Sequence, residues 1–161
     1  VKEENRFKLD PKDVKKAVTL KTKAIILNTP SNPTGAVFDR ESLEQIAAIC
    51  KEHEIMVISD EPYEHILFDG NEHVSIGSLD GMKDLTVSIY TLSKSYAMTG
   101  WRVGYVVADK AIIDHLLQME VRGIDTWIKE HHVLNSGCMR SSTRFRGFSA
   151  SKPEGRLRMH V

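Results

Sequence analysis

Apolar positions in the first 120 residues come in two patterns. Short solid runs, Lys23-Ala-Ile-Ile-Leu27 and Ile55-Met-Val-Ile58, are of the kind a strand buried on both faces shows. Thr86–Tyr90 and Val103–Ala108 read as two further strands. Between the runs the apolar spacing turns helical. Leu43, Ile46, Ala47 and Cys50 share one face of a predicted helix that Asp39 caps and that runs to about His53. Asp10 and Pro11 read as N-cap and first residue of a short helix. Asp109 caps a last one, with Ile112, Ile113, Leu116 and Leu117 turned inward. Residues 70–81 read as loop.

Strands alternating with amphipathic helices predict an α/β fold, three-layered around a mostly parallel sheet. One connection breaks the rule. Only eleven residues, 91–101, join the third and fourth strands, and a parallel crossover needs about a dozen or more. The spacing therefore predicts one antiparallel strand, Val103–Ala108, lying beside Thr86–Tyr90.

Composition narrows the class. The 161 residues carry no formal net charge, and 41% are hydrophobic, as in a globular body. No apolar run is long enough to span a membrane. The chain opens on Val1 with no signal-like apolar core, and the expectation is a piece of a longer protein. Cys50 and Cys138 have neither zinc nor CxxC spacing. So few cysteines fit a reducing, cytoplasmic setting. His53, His65 and His73 read as surface or packing residues, and no metal is expected. There is no internal repeat, GxGxxG or P-loop.

Charge is uneven. Residues 121–161 hold eight Lys/Arg and three acids, and the apolar pattern fails there. A boundary is expected near Glu120, dividing a domain at 1–120 from a divergent, poorly packed basic tail at 121–161. With only Trp127, Phe145 and Phe148 interleaved, that tail reads as solvated chain, not as a nucleic-acid binder.

Polar residues gather where strands end. Asn32 follows the first strand, Asp60 and Tyr63 the second, and Thr91, Ser93 and Lys94 the third. Arg102 opens the antiparallel fourth. In open α/β sheets the ligand site lies beyond the carboxyl ends of the strands. A lysine there can act as a nucleophile. Arginine with hydroxyls suits a phosphate. A phosphorylated aldehyde cofactor would use the whole set: lysine for the aldehyde, Arg102 and Thr91 or Ser93 for the phosphate. Asp60 would pair with a pyridinium nitrogen, and Tyr63 and Asn32 would bond a ring hydroxyl.

Three stretches then carry a resemblance: Ser31-Asn-Pro-Thr-Gly35, Ser59-Asp-Glu-Pro-Tyr63, and Thr91-Leu-Ser-Lys-Ser-Tyr-Ala-Met-Thr-Gly-Trp-Arg-Val-Gly104. Their order and gaps resemble the signatures of class I aminotransferases, pyridoxal 5'-phosphate enzymes of the aspartate aminotransferase fold. The likeness covers about residues 1–120, as part of that fold's large domain. It implies Lys94 as the Schiff-base lysine and general base, and Asp60 as partner of the pyridine nitrogen. It implies Tyr63 and Asn32 at the ring hydroxyl, and Arg102 at the phosphate. Thr91 stands where the family usually has a phosphate-binding serine. Pro62 departs mildly from the small or branched apolar residue often found there.

The implied activity is transamination between an amino acid and a 2-oxo acid, with the full-length protein a homodimer. The family's glycine-rich phosphate loop, its ring-stacking aromatic, the partner subunit's tyrosine and the substrate-carboxylate arginine have no counterparts in this sequence. The chain alone is therefore expected to be inactive. Two alternatives stay open: a non-catalytic remnant of the fold, and a carbon–sulfur lyase built on it.

Overall fold

The computed structural model describes residues 5–119 and the backbone of 156–160. Helix α1 (Pro11–Ala17) is followed by β1 (Ala24–Asn28), α2 (Arg40–Glu52), β2 (Met56–Asp60) and β3 (Thr86–Thr91). A single turn, α3 (Leu92–Ser95), leads through a 3-10 turn to β4 (Val103–Val107). Helix α4 occupies 110–119, and β5 is Arg156–His160.

The caps form as their residue types dictate. Asp10 accepts from the amide of Lys12 at 2.8 Å, and Asp39 from that of Ser42 at 2.9 Å. Each satisfies an amide that the first helical turn leaves without a partner. Asp109 does the same for Ala111 at 2.8 Å.

The sheet order is β1-β2-β3-β4-β5. β1, β2 and β3 run parallel. β4 is antiparallel to β3, with Thr91 opposite Gly104, as the short connection requires. β5 is antiparallel to β4 in turn, so β4 is the one strand that runs against the others. β5 lies within the stretch read as a poorly packed tail, and its Arg-Leu-Arg-Met-His alternation is that of a strand. The remainder of that expectation, residues 121–155 and 161, lies outside the described residues.

Register decides the layers. Ile25 pairs with Val57, and Val57 with Thr86, so Ile25, Leu27 and Val57 share a face. That face packs on Leu43, Ile46, Ala47 and Cys50 of α2. Cys50 behaves as a small apolar side chain, and burial pushes its thiol up to about 11. Val87 and Val106 point the other way, onto Ile112, Ile113, Leu116 and Leu117 of α4. These are the three expected layers.

One expectation fails at β1. The run Lys23–Leu27 reads as buried on both faces, yet Leu27 is 2% exposed and Ile26 73%. The described residues cover α2's side of β1 and leave the other side bare. Among the described residues no helix is long and apolar enough to cross a membrane.

Candidate active site at the carboxyl edge of the sheet

Parallel pairing sets Asn28 opposite Asp60 at the ends of β1 and β2. The Asn28 Nδ2 donates to Asp60 Oδ2 at 3.0 Å and to the Asp60 carbonyl at 3.3 Å. Its Oδ1 accepts from the amide of Asn32 at 2.9 Å. One side chain thus joins the strand-end carboxylate to the turn that follows β1. That turn is closed by the Gly35 amide on the Ser31 carbonyl at 2.7 Å, and Gly35 takes φ +70°, where glycine meets no steric cost.

Asn32 Nδ2 lies 3.4 Å from the Tyr63 hydroxyl. Tyr63 sits in a turn that the Ile66 amide closes at 2.8 Å on its carbonyl. Over the ring stands Lys94, its Nζ 5.6 Å from the centroid, within cation–π range. Asn32, Asp60, Tyr63 and Lys94 therefore form one connected group. Lys94 and Asn32 are both exposed, and the site is open to solvent.

The other three predicted residues form a second group beside it. Thr91 caps α3, accepting from the Ser93 amide at 3.2 Å, and its hydroxyl lies 3.4 Å from the Val103 carbonyl. Arg102 follows a 3-10 turn in left-handed backbone, φ 48°, and its Nη1 donates to the Thr99 carbonyl at 3.3 Å. Thr91, Ser93 and Arg102 line a single open hollow with Ile89 and Val103. Lys94 follows Ser93 on α3, so the two groups meet there.

Two residues of consequence escape a reading of the sequence. Asn28 reads only as the start of a proline-rich turn, although its place at a strand end, in line with Asp60, is a usable signal. Glu61 is the other. It follows Asp60, points to the opposite face of the sheet, and is 0% exposed. Ser75 donates to its Oε1 at 2.8 Å. His73 Nε2 lies at 2.7 Å and the Tyr90 hydroxyl at 3.1 Å from its Oε2.

A carboxylate only accepts, so the imidazole proton sits on Nε2. Burial alone would raise the Glu61 pKa. Hydrogen bonds from His73 and Ser75, with the His73 charge, outweigh it and hold the carboxyl below its usual value. Burial first, then the neighbouring carboxylate, pushes Tyr90 up to about 12, so it stays a donor. His73 is thus a packed residue with a buried polar partner.

The donor set fits a phosphorylated pyridine aldehyde. It offers an amine, a carboxylate already oriented by an amide, a phenol with an adjacent amide, and a guanidinium with one of its five N–H groups engaged. An α/β sheet with these groups at its carboxyl edge defines the cofactor-domain architecture of the aspartate aminotransferase fold.

Comparison with known proteins agrees. The family described as Aminotransferase class I and II matches residues 1–124, and the chain belongs to it. The aspartate aminotransferase of Pyrococcus abyssi is 49% identical over 119 residues, which are 74% of this chain and 31% of that protein. Kynurenine--oxoglutarate transaminase 1 of Rattus norvegicus is 46% identical over 112 residues, 70% of this chain and 26% of the relative. The solved aromatic aminotransferase of Pyrococcus horikoshii superposes with a TM-score of 0.74 at 47% identity. The match covers 76% of this chain and 32% of that one. The chain thus spans about a third of the length of such relatives.

Proposed function

We propose that this chain is the lysine-bearing part of the cofactor domain of a pyridoxal 5'-phosphate-dependent aminotransferase, which moves an amino group from an amino acid to a 2-oxo acid. The observation that carries the reading is the Asn28–Asp60 pair, which presents an oriented carboxylate on the edge where exposed Lys94 stands over half-buried Tyr63. Relatives named as aminotransferases and transaminases support this reaction over carbon–sulfur cleavage. Family membership also supports a homodimer and a cytoplasmic setting for the complete enzyme.

Each residue has a defined task. Lys94 Nζ would hold the cofactor's aldehyde carbon and, when free, would serve as the general base that carries a proton from the substrate α-carbon to the cofactor carbon. Asp60 would accept the ring N–H and so favour the protonated pyridine nitrogen. Tyr63 and Asn32 would bond the ring oxygen. Thr91, Ser93 and Arg102 would hold the phosphate, the Thr91 O–H leaving the Val103 carbonyl for the anion. Pyridoxal 5'-phosphate, when bound, supplies the carbonyl that accepts the amino group and the ring that takes up the electron pair.

The test is borohydride trapping. The 161-residue chain is incubated with pyridoxal 5'-phosphate and reduced, and the labelled lysines are mapped by mass spectrometry. Lys94 should be labelled ahead of the other lysines, and Lys94→Ala should lose that label. Turnover by this chain alone should be absent, because an open, solvated site cannot realise the electrostatic stabilisation of a closed one. Uniform labelling across all lysines would defeat the assignment.

A further inference from the structure

Glu61 has no task in that reaction, yet it is among the most deeply buried charged groups of the described residues. Its three donors come from different places. His73 and Ser75 belong to the loop between β2 and β3, and Tyr90 is the penultimate residue of β3. Tyr90 in turn stacks on Tyr105 of β4, with centroids 4.8 Å apart and planes at 18°. Its neighbour in sequence is Thr91, and Gly104 stands opposite Thr91. The Glu61 amide continues the ladder onto the Ile89 carbonyl at 2.9 Å. One buried carboxylate therefore fastens the end of β2, which carries Asp60 and Tyr63, to the end of β3, which carries Thr91 and Lys94.

We propose that Glu61, with Tyr90, is a positioning residue that works from the far face of the sheet to fix Asp60 and Tyr63 relative to Lys94. The proposal rests on the functional reading above, since that reading supplies the tasks of Asp60 and Lys94. Its physical basis is that a buried carboxylate costs several kcal/mol to desolvate unless its lone pairs are filled. The three donors are therefore held to it as tightly as it is to them. A carboxylate kept only for packing would be replaceable by an apolar residue at little cost. One placed on the residue next to Asp60, and bonded across the β2–β3 boundary, restricts the boundary on which the site depends. His73 Nδ1 is buried without a hydrogen-bond partner. The ring's hydrogen bond among the described residues is therefore its Glu61 contact, which with Ser75 ties the loop to the carboxylate.

The experiment uses the 161-residue chain with two variants. Tyr90→Phe removes one donor and keeps the stack on Tyr105. Glu61→Gln keeps the volume and removes the charge. Site-resolved amide exchange and borohydride trapping with pyridoxal 5'-phosphate are measured on each.

Exchange at Glu61 and Thr29, whose amides bridge strand ends, should accelerate about tenfold, the equivalent of one lost buried hydrogen bond. Exchange at Leu43–Cys50 in α2 should be unchanged, and the preference for Lys94 over other lysines should fall severalfold. Acceleration spread equally into α2, or no acceleration, or an undiminished Lys94 preference overturns the proposal. If Glu61→Gln does not fold, Tyr90→Phe decides. A parent chain with no Lys94 preference overturns the functional reading and this proposal with it. A parent chain that prefers Lys94, with variants that match it, overturns this proposal alone.

Discussion

Asn28 donates to Asp60 Oδ2 at 3.0 Å across the β1–β2 boundary and, with its other end, accepts from the Asn32 amide at 2.9 Å. The amide side chain serves two candidate site residues at once. Asn28→Ala should free the Asp60 carboxylate and loosen the turn at 31–35. The cost should be about 1 kcal/mol for each lost bond, read from urea unfolding, with faster amide exchange at Asn32. Unchanged exchange there would show that the turn holds itself.

Gly104 should tolerate no side chain. A Cβ built on it would lie 2.6 Å from the Tyr90 carbonyl oxygen, so Gly104→Ala must push β4 away from β3. Overpacking of this kind costs about 1–3 kcal/mol, and here it also displaces Thr91, its partner in the ladder. Gly100, beside which a Cβ meets nothing within 4 Å, is the control. Gly100→Ala should change stability by less than about 0.5 kcal/mol. Equal denaturation midpoints for the two variants would refute the contact.

Ala97 stands at φ 53° in the loop between Lys94 and Arg102. Left-handed backbone costs an L-residue about 1–2 kcal/mol, which glycine escapes. Ala97→Gly should therefore raise the thermal midpoint or leave it level, the greater flexibility of the unfolded chain offsetting part of the gain. Ala97→Val should lower it. A clear loss on Ala97→Gly would mean that the methyl makes a contact worth more than the strain.

Stability should fall in acid through Asp39. Its pKa is lowered from 3.8, first by the Ser42 backbone hydrogen bond and then by the Ser42 side chain, against some desolvation, with Lys8 adding at 3.5 Å. A depressed carboxyl stabilises the fold above its unfolded pKa, and that contribution is lost as pH falls through the lower, folded value. Asp39→Ala should cost about 1 kcal/mol near neutral pH, the usual worth of an N-cap. The difference between parent and variant should shrink below about pH 4, towards the folded pKa. A difference constant across that range would exclude the titration.

Much of this was legible in the sequence, for reasons that differ by element. Asp10, Asp39 and Asp109 announce helices because capping is a local hydrogen bond, complete within three residues. The antiparallel turn of β4 was legible because eleven residues cannot reach back for a parallel return. Ile26 misled, since an apolar run says that a strand is apolar and not which described element covers each face. Glu61 was hidden for another reason. A glutamate in sequence reads as a surface residue, and the three donors that make its burial possible stand 12, 14 and 29 positions away. Asn28 was overlooked because its role is set by register, which appears only when two strands are laid side by side. The seven candidate site residues could be singled out because six stand at or after a strand's carboxyl end and Arg102 opens the antiparallel strand. Their division into two groups was not visible, because it depends on where the turns at Asn32 and Arg102 point.

The strands divide the same residues differently, along a seam that the Lys94–Tyr63 contact crosses. Asn32, Asp60 and Tyr63 belong to the β1–β2 half, and Thr91, Ser93, Lys94 and Arg102 to the β3–β4 half. The ladder between the halves is four pairs long, Val57↔Thr86 to Asp60↔Ile89. Slippage by one position would turn every inward side chain of one half outward. The smallest slip that keeps the faces is two residues, about 7 Å, more than twice the length of a hydrogen bond. Between the native register and that one there is no intermediate alignment that keeps Asp60 and Lys94 at their native separation. The layout of this edge is therefore quantised by the ladder: a sheet in register brings the two halves together, and a sheet one step out leaves each intact and apart.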